Sequence, residues 1–432
     1  MYLPRFLPNV NEPSAPPACT PEEREILRGL ARRKAEILAS GAVTERIRLW
    51  KCHNALQQQR PMLLVFPEGS WSELIAADPA LQPRCADPLL RDIEQEMRIE
   101  IYAHGHFDTD NLPNTAVRVP KAIGNTGWGV EAAWEESTRA HGAKRFSPMI
   151  NDEADLDKLR FPEAFHHEAA SRERHDAVRE IFDGILPVEL IGIKHVSFHL
   201  MAQWTALHGL EETLMDMIAE PEFTHRAISF LAEGNRRLVE QYERLGLLEF
   251  NHDNTYHSTG GNGWLETAPG PPVEPGQPAK RANIWASAEA QELTVVSPEM
   301  HEEFSMSYER ELLEPFALTG YGCCEDITRK VDLVLRIPHI RRISVSPFTD
   351  VAATAPQIGK RAIYSWKPRP TDLVGRFDPE RIRAYLREQM EACHAAGCNF
   401  EVILKDTHTC DARPERFDEW SRIAREEIGR LC

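Results

Sequence analysis

Thiol groups follow two apolar runs of this chain, at the points where buried strands would end. The run Pro315–Leu318 leads into Gly320-Tyr-Gly-Cys-Cys-Glu-Asp326, which carries two adjacent cysteines beside two acidic residues. The run Phe400–Leu404 leads into Lys405-Asp-Thr-His-Thr-Cys410, which adds a histidine and a further cysteine. Thiolate and imidazole are ligands that zinc prefers in proteins, and a catalytic zinc keeps one position open for substrate. The two segments therefore predict one shared metal site.

We expect Cys324 and Cys410 to be zinc ligands, with His408 or Cys323 as the third. His408 and Cys410 are two positions apart after a strand, so their side chains point the same way if the chain stays extended. Bound zinc would act as a Lewis acid on a heteroatom of the substrate. The alternative is a structural role, because buried cysteines commonly behave as small apolar side chains.

Carboxylate and imidazole groups follow two further apolar runs. Glu68 comes shortly after Met62–Phe66, and His252 and Asp253 come directly after Leu247–Phe250. A carboxyl group that is buried at a strand end has a raised pKa and can serve as general acid or base. We therefore predict that Glu68, Asp253 and His252 are catalytic. A loop-stabilising carboxylate and solvated loop polarity are the alternatives.

Aromatic and polar residues at the same kind of position are candidates for substrate binding. Tyr321 and Trp366 are suited to stacking on a flat substrate ring. Asn254, Lys367 and His199 are suited to hydrogen bonding with the polar groups of a substrate. For His199, a structural histidine with satisfied hydrogen bonds is the alternative.

Composition excludes several classes of protein. The chain has 432 residues, of which 42% are hydrophobic, and a formal net charge of -17. The acidic balance argues against nucleic-acid and anionic-membrane partners, since both need clustered positive charge. No apolar run approaches the roughly 18 residues that a membrane-spanning helix needs. The odd number of cysteines, nine in a long chain, is typical of reduced thiols, so we expect a cytoplasmic protein.

Apolar, β-branched runs alternate with amphipathic stretches along most of the chain. The alternation predicts a TIM barrel, the (β/α)8 fold, with chemistry on the loops after the strands. A doubly wound open sheet fits the same alternation, but the glycine fingerprint of phosphate-binding sheets is missing. The predicted strands are Met62–Phe66, Arg98–Tyr102, Leu186–Ile193, Leu247–Phe250, Pro315–Leu318, Ile340–Val345, Arg361–Tyr364 and Phe400–Leu404.

We divide the chain into an N-terminal part and one barrel. Residues 1–60 form a proline-rich arm and a helix, for which Thr20 is the predicted N-cap. Residues 61–432 form a single barrel. The glycine-rich, irregular stretch at about 108–157 is predicted to be an inserted lid.

Four segments give the chain a resemblance to a known family. It is similar to the uroporphyrinogen decarboxylase superfamily, which includes the zinc-dependent, corrinoid-linked methyltransferases. The methyltransferase segment His-x-Cys-Gly-Asp-Ile matches Gly322-Cys-Cys-Glu-Asp-Ile327, so Gly322 stands where that family has a zinc-binding histidine. The arginine-rich N-terminal motif of the decarboxylases is absent. The segments that carry the resemblance are Met201–Asp216, Val296–Glu299, Gly322–Ile327 and Thr409-Cys410.

The resemblance implies a barrel and methyl-group chemistry. We expect a zinc-dependent enzyme that demethylates a small O-, N- or S-methyl compound. The methyl group would pass to a corrinoid carried by a separate partner protein, and a homodimer is a possible assembly. Two alternatives stay open. One is a metal-independent decarboxylase or lyase that uses Glu68 and Asp253, and the other is a non-catalytic, ligand-binding barrel.

Overall fold

The main sheet is parallel throughout, and its strands follow one another in the order β1-β13-β12-β11-β10-β9-β8. A computed structural model of the chain describes residues 15–135, 145–257, 259–274 and 276–431. The strands are β1 (Met62–Val65), β2 (Val117–Pro120), β3 (Ile123–Asn125), β4 (Ala133–Glu135), β5 (Arg145–Ser147), β6 (Ala164–His166), β7 (Val188–Ile191), β8 (Ser197–Phe198), β9 (Trp285–Ala288), β10 (Leu318–Tyr321), β11 (Ile340–Val345), β12 (Ile363–Trp366) and β13 (Asn399–Leu404).

Helices occupy most of the segments between these strands, and none of the described ones is long and apolar enough to cross a membrane. A π-helical turn, Glu302–Met306, joins α9 to α10. The α-helices are α1 (Pro21–Leu38), α2 (Gly41–Asn54), α3 (Trp71–Ala77), α4 (Pro88–His106), α5 (Glu168–Phe182), α6 (Leu200–His208), α7 (Leu210–Ala219), α8 (Pro221–Arg244), α9 (Pro298–His301), α10 (Ser307–Leu313), α11 (Val331–Val334), α12 (Val351–Ile358), α13 (Pro379–Ala395) and α14 (Glu415–Gly429).

The first helix begins where the sequence predicts. Thr20 caps α1 by accepting a hydrogen bond from the Glu23 amide at 3.2 Å, while the Glu23 carboxylate accepts one from the Thr20 amide at 2.8 Å. This reciprocal pair satisfies two amide groups that a helix start otherwise leaves without partners. Residues 1–14, which include most of the predicted proline-rich arm, lie outside the described residues.

The predicted strands Met62–Phe66, Leu186–Ile193, Ile340–Val345, Arg361–Tyr364 and Phe400–Leu404 each overlap an observed strand at two or more residues, whereas Pro315–Leu318 overlaps β10 only at Leu318. Central strands of a parallel sheet are buried on both faces, and β13 is buried along its whole length. The prediction of a strand at Arg98–Tyr102 is wrong, because this segment is part of α4, whose buried residues Leu90, Ile93 and Met97 recur at helical spacing. Leu247–Phe250 forms a single bridge, in which Leu248 pairs with Ile193.

The edge strand β1 is flanked by the segment after α4. The Asp110 amide donates to the Leu63 carbonyl at 2.7 Å, and the Asp110 carboxylate accepts from the Leu63 amide at 2.9 Å. Asn111 makes the same kind of contact to Val65. These bonds satisfy the free edge of β1 without a regular strand. Such a sheet is compatible with a barrel, although among the described residues β1 and β8 are not paired with each other.

Small sheets occupy the region that the sequence predicts as an inserted lid. Strand β2 pairs in parallel with β7, while β3 pairs with β6 and β4 with β5 as antiparallel ribbons. Residues 136–144 of the predicted insertion lie outside the described residues. In two of these pairings, β2 with β7 and β3 with β6, the second strand lies outside the predicted insertion. The described part of this region is therefore hydrogen-bonded to the segment that precedes β8.

Candidate active site

Side chains from three strand ends and one loop meet at the carboxyl edge of the main sheet. Because β1 pairs with β13, the residues that follow these two strands are neighbours. The Asp406 amide donates a hydrogen bond to the Glu68 carboxylate at 2.7 Å, and the Cys324 sulfur lies 3.9 Å from the Asp406 carboxylate. We call this group the rim site. It consists of Glu68, Tyr256, Cys323, Cys324, Lys405 and Asp406.

The backbone at two of these positions is unusual. Glu68 has φ +46° and Asp406 has φ +58°, both in the left-handed region that is sparsely populated by residues other than glycine. Residues held there cost of order 1–3 kcal/mol each, and they occur preferentially at functional sites. The hydrogen bond between these two residues fixes both conformations together.

Lys405 supplies a buried positive charge to the rim site. Its side chain lies 3.7 Å from the Asp406 carboxylate, and no described residue accepts a hydrogen bond from it. Burial by itself would lower the pKa of Lys405. The nearby Tyr256, Cys323, Asp406 and Glu68 outweigh that effect and raise the pKa well above its ordinary value. Lys405 is therefore a buried ammonium group, and no residue that the structure describes takes up its hydrogen-bond donors.

Tyr256 supplies a second unused donor. Its hydroxyl group is buried and has no hydrogen-bond partner in the part of the chain that the structure describes. The ring contacts Phe66 edge-on, with 4.6 Å between the centroids. Burial raises the pKa of Tyr256. A buried hydroxyl without a partner costs about 1–3 kcal/mol, and Tyr256 lies within electrostatic range of Lys405.

Glu68 is a carboxyl group of the rim site whose pKa is raised. Burial raises the pKa of its carboxyl group, and Asp406 adds to this effect, while Lys405 opposes it. A carboxyl group with a raised pKa can hold a proton near neutral pH and release it to a substrate. The role of Glu68 as general acid or base stays a prediction, which the raised pKa supports.

The two adjacent thiols are in contact with each other. The sulfur atoms of Cys323 and Cys324 are 3.5 Å apart. Hydrogen bonds hold this loop, because the Ser344 hydroxyl donates to the Cys323 carbonyl at 2.9 Å and the Cys323 amide donates to Glu325 at 2.7 Å. The hydrogen bond from Cys323 lowers the pKa of the Cys324 thiol, although burial opposes this.

The predicted zinc donors do not converge into one ligand set. Cys410 is fully buried, and its thiol donates to the Glu73 carboxylate on α3 at 3.1 Å. His408 is exposed on the same loop. Within the described ranges, no three histidine, cysteine or acidic side chains form a group that could hold a metal ion. The donor set therefore does not fit zinc held by Cys323, Cys324, His408 and Cys410.

Buried carboxyl groups that the sequence analysis did not single out line the neighbouring strand ends. His199 contacts Glu289 through its Nδ1 atom. Burial, with Glu289 and Glu325 nearby, raises the pKa of Glu292 to about 7. Burial also raises the pKa of Glu325, followed by the effect of Glu289. Glu289 and Glu292 follow β9, whose short Trp-Ala-Ser-Ala sequence has too few β-branched residues to be recognised as a strand.

Asp253 and its neighbours hold a loop rather than face a pocket. The Asp253 carboxylate contacts Lys194 and Arg118 and accepts bonds from the Thr255 amide and hydroxyl. Burial would raise the pKa of Asp253, but Arg118 and Lys194 outweigh it and lower the pKa to about 2. Asp253 is thus an anion with filled acceptors at neutral pH.

The residues beside Asp253 are similarly enclosed. Asn254 is buried and donates to the Leu112 carbonyl at 2.6 Å, while its own side-chain oxygen accepts from Asn262 at 2.9 Å. The His252 ring lies edge-on to Phe250, and burial lowers the pKa of this histidine. These contacts leave the loop well fixed.

Three other predicted substrate-binding residues are buried. Tyr321 is 0% exposed and its hydroxyl is hydrogen-bonded to His301 at 2.7 Å. Trp366 is 1% exposed and contacts Tyr385, so neither ring offers a free face for stacking. Lys367 donates to Ser344 and Ser365, and burial lowers its pKa to about 7.

Comparisons with known proteins add little to this geometry. No family model matches the chain, and no curated protein matches it significantly. Among solved structures, a methyltransferase from Methanosarcina mazei is similar, with 12% identity over 88% of this chain and 98% of that one, and a TM-score of 0.48. This likeness is too weak to establish a fold or an activity.

Proposed function

We propose that the chain is a methyltransferase-type enzyme that removes a methyl group from a small O-, N- or S-methyl compound at the rim site. One observation carries the proposal. A carboxyl group with a raised pKa, a buried ammonium and a buried hydroxyl with no partner among the described residues lie at the carboxyl edge of the sheet. This edge is where parallel α/β folds place their chemistry.

The three groups suit a reaction in which a heteroatom leaves with the electrons of a broken bond to carbon. Negative charge develops on that heteroatom, and Lys405 and Tyr256 are donors that would stabilise it. Glu68 would deliver the proton that completes the leaving group. General acid catalysis of this kind contributes about 10²- to 10⁴-fold to the rate.

The methyl group needs an acceptor, which we propose to be a corrinoid on a separate partner protein. When bound, a reduced corrinoid would supply the nucleophile for the methyl group. Two large apolar side chains on the same edge are exposed, Val295 by 76% and Phe348 by 75%. Their loops are linked, because the Asp326 amide donates to Thr294 and the Ile327 amide donates to Thr349. Exposed apolar residues around a site are typical of a protein-docking surface.

Zinc has no assigned step in this proposal. Its predicted donors are dispersed, and Cys410 is engaged by Glu73. The groups that we assign to catalysis are instead proton donors and a cation. Their contribution can be measured without reference to any metal content.

The test is methyl transfer by the purified protein. A corrinoid protein is incubated with the chain and a panel of methoxyaromatics and methylamines, and the corrinoid absorbance reports methylation. We expect Glu68→Gln to lose activity about 10²- to 10⁴-fold, since it cannot donate the carboxylic proton. Glu391→Gln, on an exposed position of α13, is the matched control and should retain full activity. Equal activity of both variants would contradict the assignment of Glu68.

A decarboxylase is the second candidate, and the raised pKa of the Glu68 carboxyl group favours it. A carboxyl group with a raised pKa can protonate a carbanion left after loss of carbon dioxide. Asp253 takes no part in this version, because its acceptors are filled by Arg118, Lys194 and Thr255. Release of carbon dioxide from a carboxylic acid, without any change in corrinoid absorbance, would favour this candidate over methyl transfer.

A further inference from the structure

The adjacent thiols of the rim site differ from the other cysteine pair of the chain. Cys323 and Cys324 are partly exposed, and their sulfur atoms are 3.5 Å apart. Cys393 and Cys398 also interact with each other, but both are buried in the hydrophobic core. Oxidation of a thiol requires access to solvent and thiolate character, so only the first pair is placed to react.

We propose that Cys323 and Cys324 form a peroxide-sensitive oxidation site that reversibly closes the rim site. Cys324 is the thiol that reacts with peroxide, and Cys323 is the thiol that resolves the product into a disulfide. The proposal does not depend on methyl transfer, because it rests on the contact between the two sulfur atoms and on their exposure.

The chemistry balances with hydrogen peroxide as the oxidant. The Cys324 thiolate attacks one peroxide oxygen, the O–O bond breaks, and hydroxide leaves with its electron pair to become water. The resulting sulfenic acid is attacked by the Cys323 sulfur, which forms the S–S bond and releases the second water. The two thiols lose two electrons in total, and the peroxide gains them.

Several contacts favour Cys324 as the first thiol to react. The hydrogen bond from Cys323 lowers the pKa of the Cys324 thiol, burial and Asp406 raise it, and Lys405 lowers it. The same contact and burial raise the pKa of the Cys323 thiol. An attacking thiolate next to a resolving thiol is the arrangement that redox-sensitive cysteines use.

The disulfide between neighbouring residues is expected to be strained and easily reduced. Consecutive Cα atoms are about 3.8 Å apart, whereas disulfides usually join Cα atoms about 4.4–6.8 Å apart. Strained disulfides have the higher reduction potentials that suit reversible regulation. The strain of the disulfide also acts on the loop, because hydrogen bonds to Ser344 and Glu325 hold the Cys323 backbone in the conformation of the reduced protein.

Formation of the Cys323–Cys324 disulfide changes the rim site directly. The Cys324 sulfur lies 3.9 Å from the Asp406 carboxylate, and oxidation removes an ionisable thiol from this group. Disulfide formation also shortens the distance between two sulfur atoms on a loop that lines part of the rim site. We therefore expect oxidised protein to bind ligands at the rim less well than reduced protein.

The experiment treats the full-length protein with hydrogen peroxide, blocks the remaining thiols and maps the peptides by mass spectrometry. We expect a Cys323–Cys324 disulfide that dithiothreitol reverses, while Cys393 and Cys398 remain alkylatable after unfolding. In Cys323→Ser, Cys324 should accumulate as a sulfenic acid that dimedone traps. In Cys324→Ser, neither product should form at position 323.

Two outcomes would overturn the proposal. The first is oxidation of Cys393 or Cys398 in preference to the rim pair. The second is dimedone labelling at Cys323 in the Cys324→Ser variant at the wild-type rate of Cys324. Both serine substitutions are nearly isosteric, and thermal unfolding in the reduced state checks that each variant is folded.

Discussion

Replacing Lys405 by methionine tests the electrostatic core of the proposed mechanism. The substitution keeps the length of the buried side chain and removes its ammonium group. That group lies 3.7 Å from the Asp406 carboxylate, and no described residue accepts a hydrogen bond from it. A hydrogen bond to a charged group contributes about 1.5–3 kcal/mol. At about 1.36 kcal/mol for each tenfold change in rate, its loss predicts a fall in kcat/KM of about 10- to 150-fold.

The same substitution should also move the pH profile. Lys405 lowers the pKa of Glu68, against the larger effect of burial, so the pKa of Glu68 rises further when the cation is removed. Glu68 must be protonated to act as an acid, and activity is lost as pH rises through its pKa. The alkaline limb of the kcat/KM profile should therefore shift to higher pH in Lys405→Met.

The assay is initial-rate kinetics of corrinoid methylation across pH, with Lys360→Met as the matched control at an exposed position. The control should leave both the rate and the profile unchanged. A fall of less than about threefold in kcat/KM for Lys405→Met would correspond to a free energy smaller than that of one hydrogen bond to a charged group. Such a result would refute the assigned stabilisation. So would an alkaline limb that moves to lower pH.

Three further predictions concern single contacts. Tyr256→Phe removes a buried hydroxyl that has no described partner. We therefore expect the free energy of unfolding, measured by denaturation, to stay the same or increase. In kinetic assays, kcat/KM should fall about 10-fold. Cys410→Ala should leave the metal content of the protein at the wild-type value by elemental analysis, and should cost about 1–3 kcal/mol of stability, because its thiol is buried against Glu73. Gly261→Ala should destabilise the protein by about 1–3 kcal/mol in urea unfolding, since φ is +62° and the new methyl group would meet the Arg342 side chain at 2.5 Å. Normal stability of that variant would show that the loop can move away.

The rim residues that sequence reasoning found are those that directly follow strongly apolar strands. Glu68 could be predicted because Met62–Phe66 is a continuous apolar run, which is typical of strands buried on both faces. Lys405 follows Phe400–Leu404, an apolar run that Glu401 interrupts, and sequence reasoning did not predict it as a site residue. In such a sheet the residues after neighbouring strands meet at one edge. The pairing of β1 with β13 brings these two ends of the chain together.

The position of Cys410 could not be read from the same pattern. Its prediction as a ligand assumed that the chain stays extended after β13, so that His408 and Cys410 face the same side. Asp406 instead adopts φ +58°, and the chain crosses to α3, where the Ser70 amide donates to the Thr407 carbonyl. A left-handed residue that is not glycine has no reliable sequence signal. After this turn, the Cys410 thiol contacts the Glu73 carboxylate on α3.

The false strand at Arg98–Tyr102 has a different cause. Its alternating arginine, glutamate and apolar residues fit a short strand, but the helix signal lies further back, at Asp87 and Pro88. Asp87 caps α4 by accepting bonds from the amides of the first turn, and Pro88 occupies the first helical position. A window that begins at residue 98 cannot include this start signal.

The predicted catalytic residue Asp253 instead determines where the phenol of Tyr256 lies. Its carboxylate binds Thr255, the residue before Tyr256, and is itself held by Arg118 and Lys194 from the region before the main sheet. Further along the same loop, Gly261 lets the chain approach a buried ion pair between Arg342 and Glu401.

These contacts hold the loop at both ends, so a tyrosine hydroxyl can remain buried without a partner. An unsatisfied buried donor tends to rearrange toward water or an acceptor, and it stays in place only when the surrounding structure prevents this. Five charged groups in three ion pairs, together with two glycine positions in the left-handed region, Gly260 and Gly261, provide that restraint here. The ion pairs around Asp253 thus act on catalysis by position, and their loss should lower activity through Tyr256 rather than through a missing base.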